Sequence, residues 1–234
     1  MRFGSLYSGI GGADYGLCLH GWVPVFQAEC DVFRAAVLRR RFPQARLYDD
    51  VQAVCADESV DVIYAEMPDR DVPLWWPLAA AAIQRVRPSW IIVEFSPTVD
   101  MSPILRDVVA WGWGIRLFTL NARLDTPSLE RADQHVSTRA MLVCAARRED
   151  MSSLTSAHSC HISVTAEGPL FDPALTPIER LELARALPAG WTCQCGQTAC
   201  MCLPDARISA IRDATTPVIS DTVAHLLSGL DLVA

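Results

Sequence analysis

A chain of 234 residues, 51% hydrophobic and 20% charged, carries enough apolar mass for one good core and leaves little for long disordered tails. A formal charge of −7 and a pI of about 5.2 exclude a protein that grips nucleic acid by bulk electrostatics, because neutralising phosphates takes clustered cations. A local basic cleft stays open, and the absence of lysine among the 20 cations is explained by coding bias.

The elements alternate from the start. RFGSLY (2–7) reads as a strand, followed by SGIGG and a helix to about Leu19. VPVFQAE (23–29) is a second strand, and Asp31 opens a helix over 31–42. ARLYDDV holds a short third strand, VDVIYA (60–65) a fourth and WIIVEF (90–95) a fifth, with a helix after Pro77 between the last two. Such spacing predicts an α/β fold with a mostly parallel sheet and helices on both faces. Residues 114–121 and 138–146 read as two more strands.

The pattern then dissolves over 147–172 into Ser, Thr, His and Gly, as in a linker or irregular loop. Thr176, Pro177 and Glu179 mark a helix start with an N-cap, a first-turn proline and a capping box. A cysteine cluster follows at 193–202, and an amphipathic helix covers about 216–230. The expected organisation is an α/β domain over 1–148, a short irregular linker over 149–174, and a C-terminal segment over 175–234 that forms a small Cys-rich lobe and a helix packing back on the domain.

LYSGIGGADYGL places glycines after the first strand and before a helix, where backbone amides can approach a ligand closely. A plain tight turn would look the same. Glu29 closes the second strand at the distance expected of a ribose-binding acid, and Asp50 ends the third, where a carboxylate can accept from an adenine amino group. Each could instead be a solvated acid. Three such features at successive strand ends point to an adenosine-containing cofactor.

LYSGIGGADYGL, VPVFQAECDVFRAAVLRRRFP, LYDDV, DVIYAEMPDRDV, RPSWIIVEFSP, STRAMLVCAAR, LTPIERLELARALPAGW and ATTPVISDTVAHLL together resemble, in order and spacing, the cytosine-5 DNA methyltransferase family. The resemblance spans nearly the whole chain and suggests a divergent, phage-type member. It implies the Rossmann-like fold of S-adenosylmethionine-dependent methyltransferases, with Tyr7, Gly9, Ile10, Gly11, Glu29, Cys30, Asp50 and Val51 at the cofactor.

The family attacks cytosine C6 with the thiolate of a Pro-Cys pair and engages N3 with the glutamate of Glu-Asn-Val. Carried over, Pro68 matches the proline, but Asp69 stands on the nucleophile and Arg70 on the usual glutamine. Glu94 matches the glutamate, with Phe95 in place of asparagine. Arg139 matches an arginine that contacts the flipped base, Ser137 replaces an earlier one, and Arg212-Asp213 replaces the Gly-Asn that closes the cofactor pocket. A carboxylate is a harder, weaker nucleophile than a thiolate, so Asp69 should add poorly to C6. Cys55 and Cys144 offer no evident substitute.

About 25 residues fill the interval where the family carries its target-recognition region, too few for an independent folded domain. The expected function is therefore a divergent family member that lacks methyl transfer by itself. It would serve as a non-catalytic or regulatory subunit in DNA modification, meeting DNA directly or through a methyltransferase or recognition partner. Two alternatives remain: altered chemistry on a base using Asp69 and Glu94 as acid, base or nucleophile, and a decoy that interferes with a methylation or restriction system.

Cys193, Cys195, Cys200 and Cys202 form C-x-C-x4-C-x-C, a set able to wrap one structural zinc, though unliganded thiols in a reducing cytosol fit equally. No segment reaches the roughly 18 apolar residues of a membrane span, and no signal peptide is evident, so a cytoplasmic protein without membrane attachment is expected.

Overall fold

The computed structural model describes residues 1–68, 72–125, 136–147, 159–165, 182, 187–193, 204–213 and 217–228. In chain order the elements are β1 (Arg2–Leu6), α1 (Gly12–Leu19), β2 (Val23–Ala28), α2 (Val32–Arg41), β3 (Arg46–Tyr48), β4 (Val62–Glu66), α3 (Val72–Val86) and β5 (Trp90–Phe95). They continue with α4 (Ser102–Ala110), β6 (Gly114–Asp125), β7 (Val136–Ala145), β8 (Ser159–Thr165), α5 (Pro204–Asp213) and α6 (Pro217–Ser228). A short 3-10 turn, Val51–Ala53, follows β3.

The eight strands form one sheet in the order β3-β2-β1-β4-β5-β7-β6-β8. The first five run parallel, and β7 enters antiparallel between β5 and β6. All six residues of β5 are buried, as expected of a central parallel strand covered on both faces. The chain leaves β1 toward β2 on one side and later returns to β4 on the other. That reversal opens a crevice at the carboxyl ends of β1 and β4, where open α/β sheets bind ligands.

One face of the sheet packs Phe26, Trp76, Ile83 and Val108 with α3 and α4. The other packs Phe3, Leu17, Ile219 and Val223 with α1 and α6. The approach of α6 to α1 needs glycine: a Cβ on Gly16 would lie 1.9 Å from the Pro217 carbonyl oxygen. Ser220 Oγ donates to the Ala13 carbonyl at 2.8 Å and seals the contact.

Several expectations shift. Helix α3 begins at Val72, not after Pro77, and runs through that proline. Val72, Trp76, Ala79 and Ile83 recur at helical spacing on its buried face, and their burial outweighs the one backbone bond Pro77 cannot make. Helix α4 carries its own signal in buried Ile104 and Val108, with Trp76 Nε1 donating to Asp107 at 2.7 Å. The interval expected to be irregular contains β8, whose SCHISVT sequence pairs parallel to β6. The helix start at Thr176, Pro177 and Glu179 lies outside the described residues. Among those described, no helix is long and apolar enough to cross a membrane.

Candidate functional site

The turn after β1 is built from left-handed backbone. Tyr7, Gly9 and Gly11 have φ of 57°, 56° and 77°. At Gly11 both conformation and space demand glycine, because a Cβ would fall 2.4 Å from the Phe42 ring. At Gly9 a Cβ would meet no atom within 4 Å, so the outer side of the turn is open. The Gly9 amide donates to Glu29 Oε2 at 2.9 Å and the Asp31 amide to Oε1 at 2.8 Å. Glu29 thus holds the turn itself, a role its expected function in binding ribose did not include. Burial raises its pKa, against the lowering pull of those two amides and of Arg34.

Beneath the turn lies Asp14, which sequence reading passed over. Ser5 Oγ and Gln27 Nε2 donate to its two oxygens at 3.2 and 2.7 Å. Burial pushes its pKa up to about 6 despite these bonds. Ile10 is buried beside the turn.

Asp50 caps the 3-10 turn, accepting from the Gln52 amide at 2.8 Å while exposed at the crevice. Val51 is buried behind it and Cys30 is exposed. The Tyr7 hydroxyl donates to the Trp75 carbonyl at 2.7 Å, and the two rings meet edge to face at 5.9 Å. Burial raises the Tyr7 pKa, and the Asp50 and Cys30 charges add to the rise.

Across the crevice, β4 and β5 end in register with Glu66 opposite Glu94. Glu94 is fully buried. Arg139 Nε donates to its Oε1 at 2.7 Å, and the Tyr64 hydroxyl donates to Oε2 in a short bond. Burial, then the Glu94 charge, holds the Tyr64 pKa well above the usual phenol range. Glu94 and Arg139 are brought together, and Tyr64 is a further partner that the sequence did not reveal. Its place inside an apolar strand gave no sign beyond the oddity of a phenol at a buried position.

Pro68 is described, but Asp69, Arg70 and Asp71 lie outside the described residues, so Asp69 cannot be placed against Glu94. The side chain of Ser137 lies outside them too. Phe95 is buried in the core and pairs with Ala140. Cys144 is a core residue, its pKa raised by burial, and takes no part in the crevice.

At the C-terminal side, Asp213 forms an ion pair with Arg34 of α2 at 2.6 Å. Its carboxylate therefore points to α2; the Arg212 side chain is outside the described residues. Trp191 Nε1 donates to the Ile10 carbonyl at 2.8 Å, tying residues 187–193 to the glycine turn. Of the cysteine cluster only Cys193 is described, and it is buried. Cys195, Cys200 and Cys202 lie outside. Among the described residues no group of three or more metal-ligating side chains comes together.

The strand order, with a glycine turn after β1 and an acid after β2 at the switch point, gives an α/β fold of the S-adenosylmethionine-dependent methyltransferase type. Solved structures bear this out. A DNMT2 variant from Spodoptera frugiperda superposes with a TM-score of 0.69 at 10% identity, over 97% of this chain and 99% of that one. A protein of an E. coli prophage, described as a DNA modification methyltransferase, superposes at 0.56 with 15% identity, over 73% of this chain and 54% of that one. The type II methyltransferase M2.BsuMI of Bacillus subtilis is 35% identical over 72 residues, 31% of this chain and 18% of that protein. The chain is thus a weak homologue of that methyltransferase, matching under a fifth of its length. No family model matches.

Proposed function

We propose that the chain is a divergent member of the cytosine-5 DNA methyltransferase family that keeps the S-adenosylmethionine site and lacks unaided methyl transfer. It serves as a non-catalytic or regulatory subunit in DNA modification and meets DNA directly or through a recognition subunit. When bound, S-adenosylmethionine supplies an electrophilic methyl group. The residues present fit its adenosine end: open space beside Gly9, an exposed acceptor at Asp50, and Glu29 fixing the turn amides. The single observation that carries the loss of transfer is Glu94, fully buried, with Arg139 on one oxygen and Tyr64 on the other. A carboxylate so buried meets a base only if its arginine and phenol neighbours leave room for one. Asp69 at the thiolate position removes the nucleophile as well.

The E. coli prophage protein it resembles is a DNA modification methyltransferase by description, and that substrate is carried to this chain as part of the proposal. A structural zinc on Cys193, Cys195, Cys200 and Cys202 belongs to it also, with one zinc per chain expected by elemental analysis. Calorimetric titration with S-adenosylmethionine tests the cofactor half. Saturable binding that is lost in Gly11→Val supports it, and no heat or thermal shift in the parent chain removes it. Nucleoside mass spectrometry after incubation with DNA tests the other half. A new modified base that disappears in Asp69→Ala would favour altered chemistry at Asp69 instead.

A further inference from the structure

The glycine turn holds three residues of positive φ, and at one of them, Tyr7, such backbone persists only where its surroundings over-determine it. On the strand side the constraints are local: Ser8 to Ala28, and Gly9 to Glu29. On the other side they come from 181 residues away. Trp191 is buried, and its indole N–H meets the Ile10 carbonyl, between the two left-handed glycines.

That indole is itself held on several sides. Its ring packs on Tyr15 at 4.8 Å and on Phe42 at 6.0 Å, the same Phe42 that fills the space a Gly11 side chain would need. The Arg41 guanidinium lies 4.9 Å over the ring, and Arg41 also donates to the Trp191 and Gly190 carbonyls. The backbone around it is locked from below. Glu182 accepts from the amides of Gly190 and Thr192 at 2.6 and 2.8 Å, and Arg207 reaches Thr192 Oγ1 at 2.8 Å. Glu182, Thr192 and Arg207 are all buried.

We infer that Trp191 is a positioning residue for the cofactor site. Its indole N–H fixes the Ile10–Gly11 peptide, whose amide donates to the Ser8 carbonyl at 2.8 Å, so the C-terminal segment sets the shape of the turn that receives a ligand. The inference rests on the reading that this turn is the cofactor site. A residue that served only the core would affect overall stability and leave the turn amides alone.

The test is Trp191→Phe in the full chain, which keeps an aromatic ring and removes the donor. Amide hydrogen exchange is followed at residues 8–12 in the ligand-free protein, and S-adenosylhomocysteine binding is measured by calorimetry. Losing a buried hydrogen bond of this kind should speed exchange at the turn about tenfold and weaken binding about tenfold. Unchanged turn exchange would overturn the inference, whatever happens to the melting temperature. Faster exchange with unchanged affinity would overturn it too, by separating the turn's rigidity from binding. If the parent chain binds no S-adenosylhomocysteine, the cofactor reading and the ligand role of Trp191 fall together, while exchange still reports whether the tether holds the turn. Should Trp191→Phe fail to fold, Arg41→Lys supplies the second arm. It should give about threefold faster exchange at the turn, since Trp191 keeps its donor but loses part of its support; no change would count against the tether.

Discussion

The two halves of the crevice are built in opposite ways. At the β1 end, the glycine turn is held from both sides and its outer face is open. At the β4–β5 end, the Glu94 carboxylate is buried between an arginine and a phenol. One end leaves open space beside its backbone, and the other packs its carboxylate among neighbouring side chains. Under the proposed function, binding would depend on backbone shape at the first end and transfer on a few side chains at the second.

The strongest way to break this contrast is at Glu94. Glu94→Leu strands Arg139 and Tyr64 beside an apolar group, and removing one partner of a buried charged cluster costs about 3–5 kcal/mol. Urea unfolding should show that loss; a cost below about 1 kcal/mol would mean the cluster is not the buried unit described. Gly11→Ala comes next. Its Cβ would strike Phe42 in a left-handed conformation, for roughly 2–3 kcal/mol of destabilisation and loss of cofactor binding. Unaltered calorimetric binding in a folded Gly11→Ala protein would contradict the role given to the turn.

Asp14 sharpens the contrast through pH. Its folded pKa of about 6 lies above the roughly 3.9 of an unfolded aspartate, so the fold favours its protonated form. That stabilisation is complete below the unfolded value and is lost as pH rises through about 6, an effect on the order of 3 kcal/mol. Asp14→Asn should flatten this part of the stability curve and leave the protein more stable than its parent at pH 7. Denaturant midpoints at pH 4 and pH 7 check it. The smallest expected effect is Tyr64→Phe, which releases one oxygen of Glu94 for about 1 kcal/mol of stability and no gain of transfer. Methylation appearing in that variant alone would show that Tyr64 was the only block.

Much of this was legible in the chain itself. Strands β1, β2, β4 and β5 announced themselves as apolar runs between turn signals, and Asp31 caps α2 by accepting from the Arg34 amide. The glycine turn, Glu29 and Asp50 stood at the strand ends that form the crevice. What stayed hidden depends on distance and on competing local signals. Pro77 read as a helix start, yet the buried spacing of Val72 and Trp76 carries α3 five residues earlier. Tyr64 reads as one more strand residue until β5 places Glu94 beside it. Nothing local links Trp191 to Ile10, because only the folded chain brings them within a hydrogen bond.

Nucleoside mass spectrometry of unmethylated DNA incubated with the purified chain and S-adenosylmethionine, under conditions where calorimetry shows the cofactor bound, tests most directly whether binding has been kept and transfer lost. The expected result is no 5-methylcytosine above a protein-free control. Its appearance with the unaltered chain would show that transfer survives without a cysteine at position 69.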